Sequence, residues 1–245
     1  MMFNPFKTLT RKLLWKSGFK IYTRHSLPMG NLVSKDLHNE HAQKPFQVIF
    51  DVGANVGQAA FQLREMFPKS CIYSFEPITT VFEELKKNFQ RDVNFFPYKL
   101  ALGAQKKWVD VFLQSKTRYH SLSEGLNIPD PETQNRKECV EVVTLNDFCK
   151  EHNIEQIDFL KIDAEGFDLE VLKGSKALLE HKKIRCIFIE VGFNPDLDPR
   201  YTSFFEVNEF LKPYGYRLRS IYHQSTNERS YLAYADALFC LKEDA

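Results

Sequence analysis

This 245-residue sequence is short of several features that would narrow its function at once. It has no run near the ~20 consecutive apolar residues that a membrane-crossing helix needs, and its first residues carry no apolar core of a secretory signal. A cytoplasmic location is expected, with membrane association open only through the basic N-terminal segment. Neither sign of charge dominates: 33 Lys and Arg against 32 Asp and Glu leave a net +1. That balance argues against a nucleic-acid binder and against a trap for acidic substrates. The five cysteines (Cys71, Cys139, Cys149, Cys186 and Cys240) show neither a CxxC nor a Cys/His ligand spacing. Cys71, Cys186 and Cys240 lie in apolar runs, where a thiol behaves as a small hydrophobe, so reduced core cysteines are expected. Internal repeats and low-complexity segments are missing as well.

What is present is core material. Hydrophobic residues make up 43% and aromatics 14%, with 22 Phe, enough for one large domain that needs no disulfide or metal. Residues 1–25 stand apart. Lys7, Arg11, Lys12, Lys16, Lys20 and Arg24 are not offset by any acid, and Phe3, Phe6, Leu9, Leu13 and Leu14 recur at roughly helical spacing. Such a helix packs on its own domain or on a second subunit as a homodimer; the other reading is a peripheral contact with an anionic membrane. Residues 26–45, with Pro28, Gly30, Asn31 and Pro45, read as a connector, and the main domain as 46–245.

From residue 46 strands and helices alternate. Strands are expected at 47–52, 71–75, 93–102, 157–162 and 184–191, and helices at 59–66, 80–89, 146–152, 169–180 and 203–214. Strands at 108–113 and 140–143 flank a polar loop, and two final strands, 216–222 and 232–241, have no helix between them. The pattern predicts an α/β fold, a doubly wound and mostly parallel Rossmann-like sheet with an antiparallel C-terminal strand pair.

The first strand runs into Asp51-Val-Gly-Ala-Asn-Val-Gly57 and a helix follows. Glycine permits such a turn and a close ligand approach, and ligands in open α/β sheets sit beyond the carboxyl ends of strands. The dinucleotide fingerprint Gly-x-Gly-x-x-Gly fails twice, at Asn55 and Gln58, which disfavours an NAD-dependent oxidoreductase. Asp51 would be an awkward neighbour for a diphosphate but suits a cationic ligand such as S-adenosylmethionine. Glu76, in Phe75-Glu-Pro77, follows Gly53 at close to the ~20-residue offset at which an acid caps ribose hydroxyls. Small residues at Ala101-Leu102-Gly103 suit the floor of an adenine pocket. In 157–168 (IDFLKIDAEGFD), Lys161 and Asp163 share one strand face, and Asp163 and Glu165 fall at the carboxyl edge. There an acid could position or deprotonate an acceptor hydroxyl; the alternative is a buried Lys161–Asp163 ion pair. Glu190 ends the next strand and is a second candidate base or, with Asp163, a metal ligand, although no spacing demands a metal. His120, in the long polar loop, is a further candidate base. The other histidines, His152, His181 and His223 among them, read as surface groups.

Taken together, DVGANVGQ at 51–58, FEP at 75–77, ALG at 101–103, VVTLNDFC at 142–149 and KIDAEGFDLEVLKG at 161–174 resemble the FkbM-type methyltransferases. The resemblance spans about residues 48–192. It implies a class I S-adenosylmethionine fold, cofactor contacts at Asp51, Gly53, Asn55, Gly57 and Glu76, and an active-site edge at 163–165. Pro77, Ala101, Leu102 and Asp163 join the expected cofactor site. Members of that family methylate hydroxyls of polyketides or sugars, so O-methyl transfer to a sugar, glycan or other small-molecule acceptor is expected. A catalytically silent cofactor-binding scaffold is the remaining rival. It is disfavoured by the intact acid set Asp51, Glu76, Asp163 and Glu165.

Overall fold

A computed structural model describes residues 14, 16, 17, 22, 27–115, 120–123, 126–134, 136–194, 198, 200–228 and 230–241. The basic helix expected within 1–25 lies almost wholly outside these residues, as do Arg118 and Tyr119 of the polar loop.

Side chains of the first strand point alternately to two sides and so build two buried faces. In β1 (Val48–Val52), Ile49 packs into one hydrophobic cluster while Phe50 and Val52 pack into the other. β1 pairs in parallel with β2 (Cys71–Phe75) and with β7 (Ile157–Ile162), and β7 with β8 (Ile184–Gly192). β7 is buried along its whole length, as expected of a strand covered on both sides. With β3 (Phe95–Tyr98), β9 (Tyr216–Thr226) and β10 (Leu232–Leu241), the seven-stranded order is β3-β2-β1-β7-β8-β10-β9. β10 runs antiparallel between β8 and β9, so the expected terminal pair is present with β9 at the edge. The order reverses direction between β1 and β7, and a ligand crevice belongs at the carboxyl ends of those strands.

Helices cover both faces. α2 (Gln58–Met66) and α3 (Thr79–Asn88) place Leu63 and Leu85 in the Ile49 cluster. α4 (Leu145–Glu151), α5 (Asp168–Lys173), α6 (Lys176–Glu180) and α7 (Phe204–Leu211) cover the Phe50 side.

Four expectations need correction. The connector read at 26–45 contains α1 (Val33–Gln43), whose Leu37 is buried in the Ile49 cluster. Its anchors are polar: Tyr222 donates its hydroxyl to Asp36 Oδ2 (2.9 Å), and Arg219 pairs with Glu40 (2.6 Å). The strand read at 93–102 is two strands, because the chain leaves the main sheet after Tyr98. Ala101–Leu102 (β4) joins β5 (Lys107–Phe112) and β6 (Lys137–Val143) in a separate three-stranded sheet ordered β4-β6-β5. The helix read at 169–180 breaks between α5 and α6, where a Cβ on Gly174 would stand 2.0 Å from the Gly103 carbonyl oxygen. The helix read at 203–214 tightens into a 3₁₀ turn over Lys212–Tyr214. Among the described residues, no helix is long and apolar enough to cross a membrane.

Candidate active site

The turn after β1 is built from left-handed backbone at Gly53 (φ +72°), Asn55 (+48°) and Gly57 (+100°). A Cβ on Gly53 would lie 1.8 Å from the Asp163 carbonyl oxygen, so only glycine lets this turn pass the end of β7. The Gly53 and Ala54 amides both donate to the Phe75 carbonyl, which ties the turn to β2.

Asp51 and Lys161 are register partners on β1 and β7, so their side chains share one face of the sheet. Lys161 Nζ lies 3.2 Å from Asp51 Oδ1 and 3.3 Å from Asp163 Oδ2, and it donates to the Gly53 carbonyl (3.3 Å). Burial disfavours the ammonium, but Asp163 and Asp51 outweigh it and hold the lysine pKa above its ordinary value. Asp51 is fully buried and does not line the cavity. Where the sequence suggests a cationic ligand beside Asp51, parallel pairing sets Lys161 Nζ within 3.2 Å of it. Of these three groups the carboxylate that reaches the cavity is Asp163, whose side chain is 41% exposed.

The cavity, of about 440 Å³, lies over the switch point. Gly53, Asn55, Glu76, Pro77, Ala101, Leu102, His120, Asp163 and Glu165 line it, whereas Gly57 does not. Gly57 instead caps α2 against Phe89. The Glu76 carboxylate accepts from the Asn55 amide (3.1 Å) and the Ile78 amide (2.9 Å). Burial pushes its pKa up to about 7 against the lowering effect of those bonds. His120 Nε2 is buried without a hydrogen-bond partner, and burial lowers the pKa of the ring, which favours its neutral form. Val33 and Leu37 of α1 close the opposite side of the cavity, beside Phe188.

A second cavity, of about 530 Å³, shares Asp163 and Glu165 with the first and continues over β8 and β10. Glu190, Asn194, Asn227 and the stacked rings of Tyr201 and Tyr234 (centroids 4.4 Å apart, 12° between planes) form its walls. Its acids crowd one another. Burial, then Asp163, Asp236, Asp168 and Glu165, push Glu190 up to about 9. Burial, then Asp163 and Asp168, push Glu165 up to about 7. This shift favours the protonated form of Glu190, a candidate base or metal ligand from the sequence.

Asp168, which the sequence reading passed over, accepts from the Ala164 amide (2.8 Å), the Gly166 amide (3.1 Å) and Thr202 Oγ1 (3.2 Å). Those bonds pin the turn that carries Glu165 at φ +48°. Its signal was an acid opening a helix just beyond the strand edge. Tyr201, Asn227 and Tyr234 carry no local motif that could have marked them. Among the described residues the one cluster of three candidate metal ligands is Glu40, Cys186 and Cys240, where Glu40 already pairs with Arg219; Asp163 and Glu190 join no third donor.

A family model described as the methyltransferase FkbM domain matches residues 51–218. The chain belongs to the FkbM methyltransferase family. It is a methyltransferase, and its cofactor is S-adenosylmethionine. The methyltransferase is 26% identical over 230 residues to "Methyltransferase sdnD" of Sordaria araneosa, covering 78% of this chain and 80% of that protein. It is 25% identical over 158 residues to "2-O-methyltransferase NoeI" of Sinorhizobium fredii (strain NBRC 101917 / NGR234), covering 60% and 64%. Among solved structures, Aeropyrum pernix fibrillarin with natively bound S-adenosyl-L-methionine is 16% identical, with 78% and 66% covered and a TM-score of 0.44.

The first cavity fits that cofactor. Gly53 offers bare backbone at the turn, and Ala101, Leu102 and Phe167 supply apolar surface. Each Glu76 oxygen accepts one amide and has a second lone pair for a ribose hydroxyl. Asp163 could face the cationic end of the ligand.

Proposed function

We propose that the methyltransferase moves the methyl group of S-adenosylmethionine onto a hydroxyl oxygen of a sugar, a glycan or a similar polyhydroxylated small molecule. The second cavity carries this reading: it opens from the cofactor pocket across Asp163 and Glu165, and its walls combine acids, amides and stacked tyrosines. Sugar hydroxyls donate to carboxylates and amide oxygens and accept from amide N–H groups. The apolar face of a pyranose packs on tyrosine rings. The name of the Sinorhizobium fredii relative, a 2-O-methyltransferase, supports an oxygen acceptor.

In this reading Gly53 and Asn55 carry the methionine end, Glu76 accepts the ribose hydroxyls, and Pro77, Ala101 and Leu102 bound the adenine. Asp163 faces the sulfonium, and Asp51 acts through Lys161 by fixing the end of β7. The bound cofactor supplies an electrophilic methyl group. Asp163 and Glu165, on the wall between the cavities, hold the acceptor hydroxyl in line with it, and this alignment contributes much of the rate. Protonated Glu190 donates to a second acceptor oxygen. Neutral His120 offers one further hydrogen bond at the cofactor wall.

Calorimetric titration with S-adenosylhomocysteine and NAD⁺ in parallel tests the cofactor, and labelled methyl transfer to a panel of methyl glycosides and oligosaccharides tests the acceptor. Binding of S-adenosylhomocysteine alone and label in a sugar ether are expected. Binding of NAD⁺ alone would remove the cofactor reading, and label only in amines or thiols would remove the hydroxyl.

A further inference from the structure

Methyl transfer to a hydroxyl requires a group that takes the hydroxyl proton; of the two acids on the wall between the cavities, Asp163 is paired with Lys161 (3.3 Å) and Glu165 is crowded by Asp163 and Asp168. We infer that His223, held by Asp236, is that base. The inference rests on the oxygen-acceptor reading above.

Four observations converge on this pair. His223 Nδ1 lies 2.5 Å from Asp236 Oδ2. With the Nδ1 proton donated to that carboxylate, the lone pair of the neutral ring sits on Nε2, as in other base–orienter pairs. Both residues line the first cavity together with Lys161 and Asp163. Asp236 lies beneath and His223 at the mouth, with side chains 23% and 62% exposed. The mouth lets a captured proton exchange with water.

The backbone is distorted to bring them together. Register pairs Tyr222 with Asp236 and Ser225 with Tyr234, so His223 and Gln224 of β9 face Ala235 of β10 alone. That is a β-bulge, and bulges re-aim side chains beside active sites. Strand alternation would turn His223 away from the face that Tyr222 and Asp236 share. Instead the residue takes φ +46°, a left-handed conformation that is uncommon for a residue with a side chain. An ordinary exposed His–Asp pair stabilises a fold little and gives no reason for such a distortion at a cavity mouth.

Glu190 on β8 is the register partner of Asp236. Burial raises the Asp236 pKa, the hydrogen bond and charge of His223 lower it, and at the end of β7 Asp163 raises it while Lys161 lowers it. The Phe188 ring stands edge-on to the imidazole (6.4 Å, 89°). Burial weakens His120, the other histidine lining the cavity, as a base.

The acceptor oxygen forms a bond to the methyl carbon, the sulfur–methyl bond breaks, S-adenosylhomocysteine is released, and the hydroxyl proton passes to His223 Nε2.

The test compares full-length wild type with His223→Gln and Asp236→Asn, using S-adenosylhomocysteine calorimetry, transfer to the glycoside panel and ¹⁵N NMR of the His223 ring. His223→Gln is expected to keep S-adenosylhomocysteine affinity and acceptor KM within threefold while kcat falls by about 100-fold or more, with loss of the acidic limb of its pH profile. Asp236→Asn should fall less far. A His223→Gln kcat within threefold of wild type overturns the dyad and leaves the methyltransferase reading intact. If wild type binds S-adenosylhomocysteine but labels no sugar, the acceptor reading fails and the NMR decides the dyad. A neutral ring protonated on Nδ1 supports it, and a ring protonated on both nitrogens from about pH 6 to 9 overturns it.

Discussion

The two sides of the crevice are made differently. On the side of β1, β2 and β4, the cavity wall is mostly backbone and apolar surface: the turn at 53–57, the Phe75 carbonyl that ties it, and Ala101 and Leu102. On the side of β8, β9 and β10 it is side-chain chemistry: Glu190, Asp236, His223, Asn227 and a tyrosine pair. The family match ends at residue 218, so His223, Asn227, Tyr234 and Asp236 lie outside it. A wall of backbone and small residues fixes one ligand shape and tolerates little change. A wall of titratable side chains can be re-set residue by residue, and it responds to pH.

Breaking the backbone side should therefore cost most. Gly53→Ala forces a Cβ against the Asp163 carbonyl at a left-handed φ, and a loss of more than about 4 kcal/mol by urea denaturation is expected. A variant that folds with wild-type stability would show that the turn is slack. Next comes the buried pair behind the turn. Asp51→Asn leaves Lys161 with a weakened partner set and should cost about 3 kcal/mol, and adding Lys161→Met should recover much of that loss. If Asp51→Asn instead abolishes S-adenosylhomocysteine binding at unchanged stability, Asp51 faces the ligand after all.

The smallest effect is expected on the acceptor side. The folded pKa of Glu190, about 9, exceeds the ordinary value of 4.5. Between those values the folded protein keeps a proton that the unfolded chain has released, so stability falls as pH rises through the window. Glu190→Gln removes that dependence. Its melting temperature should exceed that of wild type by a few degrees near pH 8.5 and match it near pH 4. An equal offset at both pH values would mean that packing, not titration, sets the difference.

The same contrast governs what could be read in advance. β1 and β7 were legible because continuous apolar runs between a turn and a helix have few other homes, and the glycine turn announced itself by spacing. The partner of Asp51 was not, because Lys161 stands beside it only through the register of two strands 110 positions apart. α1 went unread for a similar reason: its helix carries few apolar residues, and its anchors, Tyr222 and Arg219, lie far along the chain. The His223 bulge has no local signature, since the polar run after Tyr222 reads as the end of the strand, whereas β9 continues to Thr226. Asp236, an acid inside an apolar strand, was the one available signal.

The seat of α1 also bears on the order of events in folding. A contact joining residues 36 and 222 closes a very long loop, and such contacts form slowly. β9 leaves the ribosome long after α1, so α1 waits without its Tyr222 and Arg219 anchors until then. The wall that Val33 and Leu37 give the cavity is thus completed later than the turn at 53–57, and a nascent chain can hold a finished glycine turn before it can enclose a ligand.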